Sequence, residues 1–105
     1  MAWVFLFLAG LFEVVWAFSM KRSEGFTVLV PTLITLIFMF ASFQLLSQAM
    51  RTIPLGTAYP IWTGIGAVGS FAVGLLFLSE SASPLRFAAV LLIAAGIALL
   101  AYDAA

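Results

Sequence analysis

The sequence contains no cysteine and no histidine. Without thiols it has neither a disulfide framework nor a thiolate metal centre. Without imidazole it lacks the commonest metal ligand and the side chain that ordinarily titrates nearest neutral pH. Charge is almost as scarce: four Lys plus Arg and four Asp plus Glu give a formal net charge of zero, and charged residues make up 8% of the 105. A water-soluble domain carries about a quarter. The few cations are scattered, which leaves no surface for a nucleic acid or another soluble polyanion. Carboxylates, hydroxyls, amides and aromatics remain, with no nucleophile paired to a base, no metal cluster and no phosphate loop. Neither an enzyme nor a cofactor or metal site is expected. What is abundant is apolar: 66% of residues are hydrophobic, 15% aromatic, and the mean hydropathy is +1.28. The lipid bilayer is the solvent such a chain requires.

Four apolar runs, about 2–20, 30–50, 57–78 and 85–102, are separated by KRSEGFT (21–27), RTIPLG (51–56) and SESASP (79–84). Each run is near the roughly 20 residues that cross about 30 Å of hydrocarbon, so an all-α protein with four transmembrane helices is predicted. The opening MAWVFLFLAG has no basic n-region, and its run outlasts an h-region of roughly 7–15 residues, so it reads as a retained span. Short connections make neighbouring spans antiparallel, giving one domain over 1–105, a compact up-down-up-down bundle with both termini on one side. A β-barrel would need period-two alternation, which these runs lack.

Pro31 and Pro84 suit first-turn positions, the latter behind a Ser83 cap. Pro60 is compatible with a helix if Thr57 is the N-cap, because its missing N–H then falls among the orphan donors of the first turn. Lys21, Arg22 and Arg86 lie in the loops of one side and Arg51 alone on the other. That bias is small under the positive-inside rule, and insertion in both orientations is expected. No internal repeat is visible, whereas transporters usually pair halves of opposite topology. An antiparallel homodimer of a dual-topology chain would supply the missing half.

One ionisable residue lies deep within a run. In AGLFEVVWAF (9–18), Glu13 stands near the bilayer midplane. A charge there costs about 2.5–3.5 kcal/mol on insertion scales, which points to a substrate or proton pathway. The alternative, a protonated acid that holds helices together by a hydrogen bond, is work Gln or Ser would do at less cost. Leu6, Gly10, Glu13, Ala17 and Met20 share a stripe at helical spacing, with Trp16 at its edge; Gly10 and Ala17 leave space beside the carboxylate or permit close packing.

In the second span, Ser42 lies at mid-depth with Thr35 two turns earlier, each also able to bond its own helix backbone. Gln44 and Gln48 form a separate pair suited to the interface or to packing. In the third span, GTAYPIWTGIGAVG (56–69) puts Tyr59, Trp62, Thr63 and Gly66 on one face at the depth of Glu13. The headgroup aromatic belt competes for Tyr59 and Trp62, while Trp3 and Tyr102 near helix ends are the clearer belt residues. Gly64, Gly66 and Gly69 each cost about 1 kcal/mol of helix stability against alanine. They provide either close packing or a helix bend. Ala88, Ala89, Ala95 and Gly96 give the fourth span small-residue ridges for helix or dimer packing.

Four segments, GLFEVVWAFSMKRSEGF, PTLITLI followed by Ser42, IPLGTAYPIWTGIGAVG and ESASPLR, together resemble the small multidrug resistance transporters along essentially the whole chain. Trp16, Ser42 and the GTAY opening of the third span are similar to the guanidinium-exporting subtype rather than to the polyspecific drug exporters. The resemblance implies an antiparallel, dual-topology homodimer in a bacterial cytoplasmic (inner) membrane, with the first three helices lining the site and the fourth making dimer contacts. It implies Glu13 as the carboxylate that takes protons or substrate, shaped and hydrogen-bonded by Trp16, Ser42, Tyr59 and Trp62, with Gly10 against the site. Two positions depart from the pattern: Pro60 stands where alanine is usual, and the tail YDAA lacks a basic residue.

Two Glu13 carboxylates in one cavity would titrate as a pair, with protons and cation competing for them. Guanidinium is planar, weakly hydrated and presents N–H donors in a fork that matches carboxylates. The expected activity is therefore proton-coupled antiport of guanidinium and small substituted guanidinyl cations by alternating access. Its partners are those cations, protons, lipid and a second copy of the chain. Export of quaternary ammonium and hydrophobic cations, a channel, and a non-transporting membrane subunit are the other readings.

Overall fold

The computed structural model describes residues 1–104. It contains α1 (Ala2–Arg22), α2 (Leu29–Ala49), α3 (Leu55–Phe77) and α4 (Pro84–Ala104). In hydrocarbon every backbone N–H and C=O must be satisfied within its own segment, so apolar runs of this length become helices. At a rise of about 1.5 Å per residue, twenty-one residues reach roughly 31 Å, the thickness to be crossed. All four helices are long and apolar enough to span a membrane.

The ends are set locally. Lys21 and Arg22 fall in the last turn of α1, where they complement the negative end of the helix dipole. Buried Ser23 then turns the chain: its hydroxyl donates to the Met20 carbonyl (2.6 Å) and accepts from the Phe26 amide (3.1 Å). Glu24, Gly25 and Phe26 follow in the left-handed region. The Ser83 cap on α4 is as expected, its hydroxyl accepting from the Arg86 amide (3.2 Å) with Pro84 in first position.

The start of α3 differs from expectation. The helix begins at Leu55 behind Pro54, whose carbonyl already accepts from the amides of Thr57 and Ala58 (3.1 and 2.9 Å). Thr57 is thus inside the helix, not its cap. Pro60 becomes the sixth helical residue, beyond the orphan donors, and deprives the Gly56 carbonyl of its i+4 donor. Gly56 has open space on its side-chain side.

A closed bundle is not what these helices make. α1 packs along both α2 and α3, which meet each other only briefly, and α4 touches α3 alone. The resulting slab measures 40 × 34 × 16 Å, about one and a half helix diameters thick. The α3–α4 seam joins Gly64 to Ile97 and sets Phe71 edge-on to Phe87 (5.5 Å, 84°). The partly covered side of α4 runs through Val90, Ala94, Ile97 and Ala101, whereas Ala88, Ala89, Ala95 and Gly96 lie on its exposed surface. Lipid tails are as apolar as leucine, so nothing drives α4 across to close on α1 and α2.

Restoring the missing hydrogen bond should stabilise α3: Pro60→Ala is expected to raise unfolding stability by about 1–3 kcal/mol, read from equilibrium unfolding in detergent. An unchanged or lower stability would show that Gly56 is satisfied in another way.

Candidate functional site

The three inner helices are joined by two hydrogen bonds that share one hydroxyl. Ser42 Oγ–H donates to the Ala9 carbonyl of α1 (2.7 Å), and Trp62 Nε1–H of α3 donates to Ser42 Oγ (3.0 Å). Ser42 and Ala9 are fully buried and Trp62 nearly so. A serine in an apolar helix commonly bonds its own backbone, and Thr35 does so here through the Pro31 carbonyl (2.7 Å). Ser42 crosses to two other helices instead. Its donor is spent on Ala9 and one lone pair on Trp62.

An aromatic row extends from this point. Trp16 meets Phe43 edge-on (6.3 Å, 75°), Phe43 meets Trp62 (5.9 Å, 61°), and Trp62 meets Tyr59 (5.4 Å, 55°). Edge-to-face pairs of this kind contribute roughly 0.5–1.5 kcal/mol beyond their burial. Phe43, which links the two tryptophans, was not singled out from sequence; its place next to Ser42 was the available signal. Tyr59 closes the row at the rim, 51% exposed.

Glu13 lies against the backbone of Gly66, where an added Cβ would overlap its carboxylate. Its Oε1 is buried and has no hydrogen-bond partner among the described residues, and the same holds for Trp16 Nε1 one turn away. One is an acceptor and the other a donor, and leaving such groups without partners costs on the order of 1–3 kcal/mol each. The expectation that Ser42, Tyr59 and Trp62 hydrogen-bond the carboxylate is therefore not met within a single chain. Ser42 and Trp62 bond each other, and Tyr59 packs through its ring.

The glycines also take definite places. A Cβ on Gly10 would stand 2.6 Å from Ile65 Cγ2, so the space there is used by α3 rather than left beside the carboxylate. Gly69 receives Val14, Gly66 receives Glu13 and Gly64 receives Ile97. Close approach is thus the use these three glycines have here, and α3 runs unbroken through them. Thr63, Gln44 and Gln48 are exposed and lie outside the arrangement. Among the described residues no cluster of three or more carboxylates is placed to hold a metal ion.

The site is therefore a carboxylate recessed in the membrane-spanning layer, seated on bare backbone, beside an unused indole N–H and a wall of aromatic edges. It can accept N–H donors or protons. Comparison with known proteins agrees with that chemistry. The family described as Small Multidrug Resistance protein matches residues 1–93. Proteins named guanidinium exporter from Citrobacter freundii and Salmonella typhimurium are each 56% identical over 97 residues, covering 92% of this chain and 92% of theirs. The guanidinium exporter of Escherichia coli strain K12 is 50% identical over the same span and coverage. With its four spans, the chain is a multi-pass membrane protein.

Removing the shared hydroxyl tests the three-helix tie. Ser42→Ala strips the Ala9 carbonyl and the Trp62 indole of their partner together, and should lower stability by about 1–3 kcal/mol, with a shift in tryptophan emission. Unaltered stability and emission would mean that the tie carries no energy.

Proposed function

We propose that this chain, which belongs to the Small Multidrug Resistance family, exports guanidinium and small substituted guanidinyl cations across a bacterial cytoplasmic membrane in exchange for protons. The observation that carries the proposal is Glu13: a carboxylate within a span whose Oε1 has no partner among the described residues. The names of the bacterial relatives supply the cation class.

A guanidinium ion has donors and no acceptor, so it needs acceptors from the protein. Glu13 offers two oxygens and Ser42 one remaining lone pair. The indole N–H groups cannot serve the cation, because they are donors themselves. Trp62 bonds Ser42, and Trp16 Nε1–H is left to steady a carboxylate, its own or that of a second copy. A flat cation is also attracted to an aromatic ring face, which Trp16 or Trp62 could offer. Tetraalkylammonium ions offer no N–H, so from the same acceptors they gain charge attraction without hydrogen bonds.

Coupling follows from competition. Guanidinium keeps its charge over the whole physiological pH range, so any pH dependence belongs to the protein. The cation binds ionised carboxylates and protons bind the same oxygens; a proton and the cation therefore exclude each other at Glu13. Two chains in an antiparallel, dual-topology homodimer would place two Glu13 carboxylates in one cavity, titrating as a pair. Rocking of that dimer would open the cavity to each side in turn.

Purified protein in liposomes tests this with guanidinium, methylguanidinium and tetramethylammonium at two pH values. Expected are proton-coupled fluxes with the first two cations and none with the third. Apparent affinity should fall at the lower pH, by up to about tenfold per pH unit for each proton displaced. Fluxes with tetramethylammonium but not guanidinium would favour an exporter of quaternary ammonium ions, and passive flow without accumulation would favour a channel. Glu13→Gln is expected to abolish coupled flux; full pH-dependent transport in that variant would end the carboxylate mechanism. Gly66→Ala, which pushes the carboxylate off its seat, should weaken guanidinium binding at least about tenfold, comparable with losing one charged hydrogen bond. Unaltered binding would show that the seat is dispensable.

A further inference from the structure

On α3, Gly66, Ser70 and Gly74 recur every four residues and form one stripe. A carboxylate rests at each end of it. Glu13 lies against Gly66, and Glu80, from the loop after α3, lies against Gly74, where an added Cβ would again overlap the carboxylate. Eight residues at about 1.5 Å each separate the two seats by roughly 12 Å along the helix. A cavity of about 190 Å³ opens between α1 and α3 at the Glu80 end, lined by Val14, Ala17 and Lys21 on one side and Ser70, Gly74 and Glu80 on the other. Val14, next to Glu13, marks its deep end and Glu80 its outer end.

Three observations suit this cavity to a cation. Glu80 is fixed by its backbone: its amide and that of Leu78 both donate to the Gly74 carbonyl (3.1 and 3.2 Å) around left-handed Ser79. Its carboxylate makes no ion pair among the described residues, because nearby cations are otherwise engaged or apart. Arg86 donates to the Ser81 carbonyl (3.0 Å), Arg22 lies over the Phe18 ring (5.6 Å), and Lys21 shares the cavity without pairing. Ser70 makes no hydrogen bond to its own helix among the described residues, unlike Thr32 and Thr35, so its hydroxyl is available to the cavity.

We propose that Glu80 and Ser70 form a vestibular site that holds guanidinyl cations on their way between water and Glu13. The site rests on the exporter reading and extends it to a second carboxylate. Guanidinium N–H groups bond the Glu80 carboxylate and the Ser70 oxygen, on the outer side of the Gly69–Val14 contact, and the cation reaches the deep seat only when that contact opens. Lys21, on the facing wall, opposes entry by like charge and sets how firmly the outer site holds.

The test is guanidinium transport in liposomes containing the full-length protein, with initial rates measured across guanidinium concentrations at low and high salt. Glu80→Gln is expected to raise KM about three- to tenfold at low salt, with a smaller difference at high salt where the charge is screened. Ser70→Ala should raise KM in the same direction and Lys21→Gln should lower it. Glu24→Gln, which removes an equal charge from the first loop outside the cavity, should leave KM unchanged. The vestibule is overturned if Glu80→Gln leaves KM as it was, or if Glu24→Gln moves it as far, since the effect would then be general surface charge. Wild-type protein that carries no guanidinium ends both the vestibule and the exporter reading; wild-type transport with an unmoved KM in Glu80→Gln ends the vestibule alone.

Discussion

The seat of Glu13 on Gly66 is the contact on which the rest of the arrangement depends. A carboxylate inside hydrocarbon is expensive, and it is tolerated here in a gap that exists because α3 carries no side chain opposite it. The same absence governs the neighbouring contacts: Gly69 admits Val14 one turn further along, and Gly10 on α1 admits Ile65. Three close approaches along a single seam set the α1–α3 spacing to within what a methyl group would disturb. Dispersion and close packing are the forces left between helices when lipid removes the hydrophobic one. A seam of glycines therefore does in the membrane what a leucine core does in water, and here it also carries the charge.

That seam leaves α2 to be placed by other means, and a single hydroxyl does so. Among the described residues Ser42 is the one through which α1, α2 and α3 are all hydrogen-bonded, and its neighbour Phe43 lies between Trp16 and Trp62. The carboxylate, the tie and the aromatic row thus belong to the same three helices. α4 attaches at the far edge of α3 and contributes nothing to them. The geometry around Glu13 is consequently independent of how α4 is eventually covered, and the exposed surface of α4 remains free to meet lipid or protein.

The four spans, the Ser83–Pro84 cap and the singularity of Glu13 were legible in the sequence because each has a local cause: run length, a capping pair, an isolated charge. The features that escaped have non-local causes. Every face of these helices is apolar, so periodicity cannot say which side of α4 meets α3, and the ridge of small residues proved to face outward. Glycines permit both packing and bending, and only the partner atoms at Gly64, Gly66 and Gly69 decide between them. Ser42 had an equally good partner in its own backbone, so its bond to α1 depends on how near Ala9 comes. At α3 the expected pairing of a threonine cap with Pro60 was outweighed by Pro54, whose carbonyl starts the helix three residues earlier.

Donor and acceptor accounting then sharpens the part played by each polar group. Trp62 Nε1–H is consumed by Ser42, and the Ser42 proton by Ala9. Among the described residues Trp16 Nε1–H and Glu13 Oε1 are left over, one donor and one acceptor. A guest with both donors and acceptors would satisfy the two together, but a cation with donors alone satisfies the carboxylate and leaves the indole. The indole still needs an acceptor, and among the described residues none is bonded to it. In the proposed dimer a second Glu13 would be that acceptor. On that proposal, the unpaired N–H of Trp16 is the donor that a second copy would satisfy.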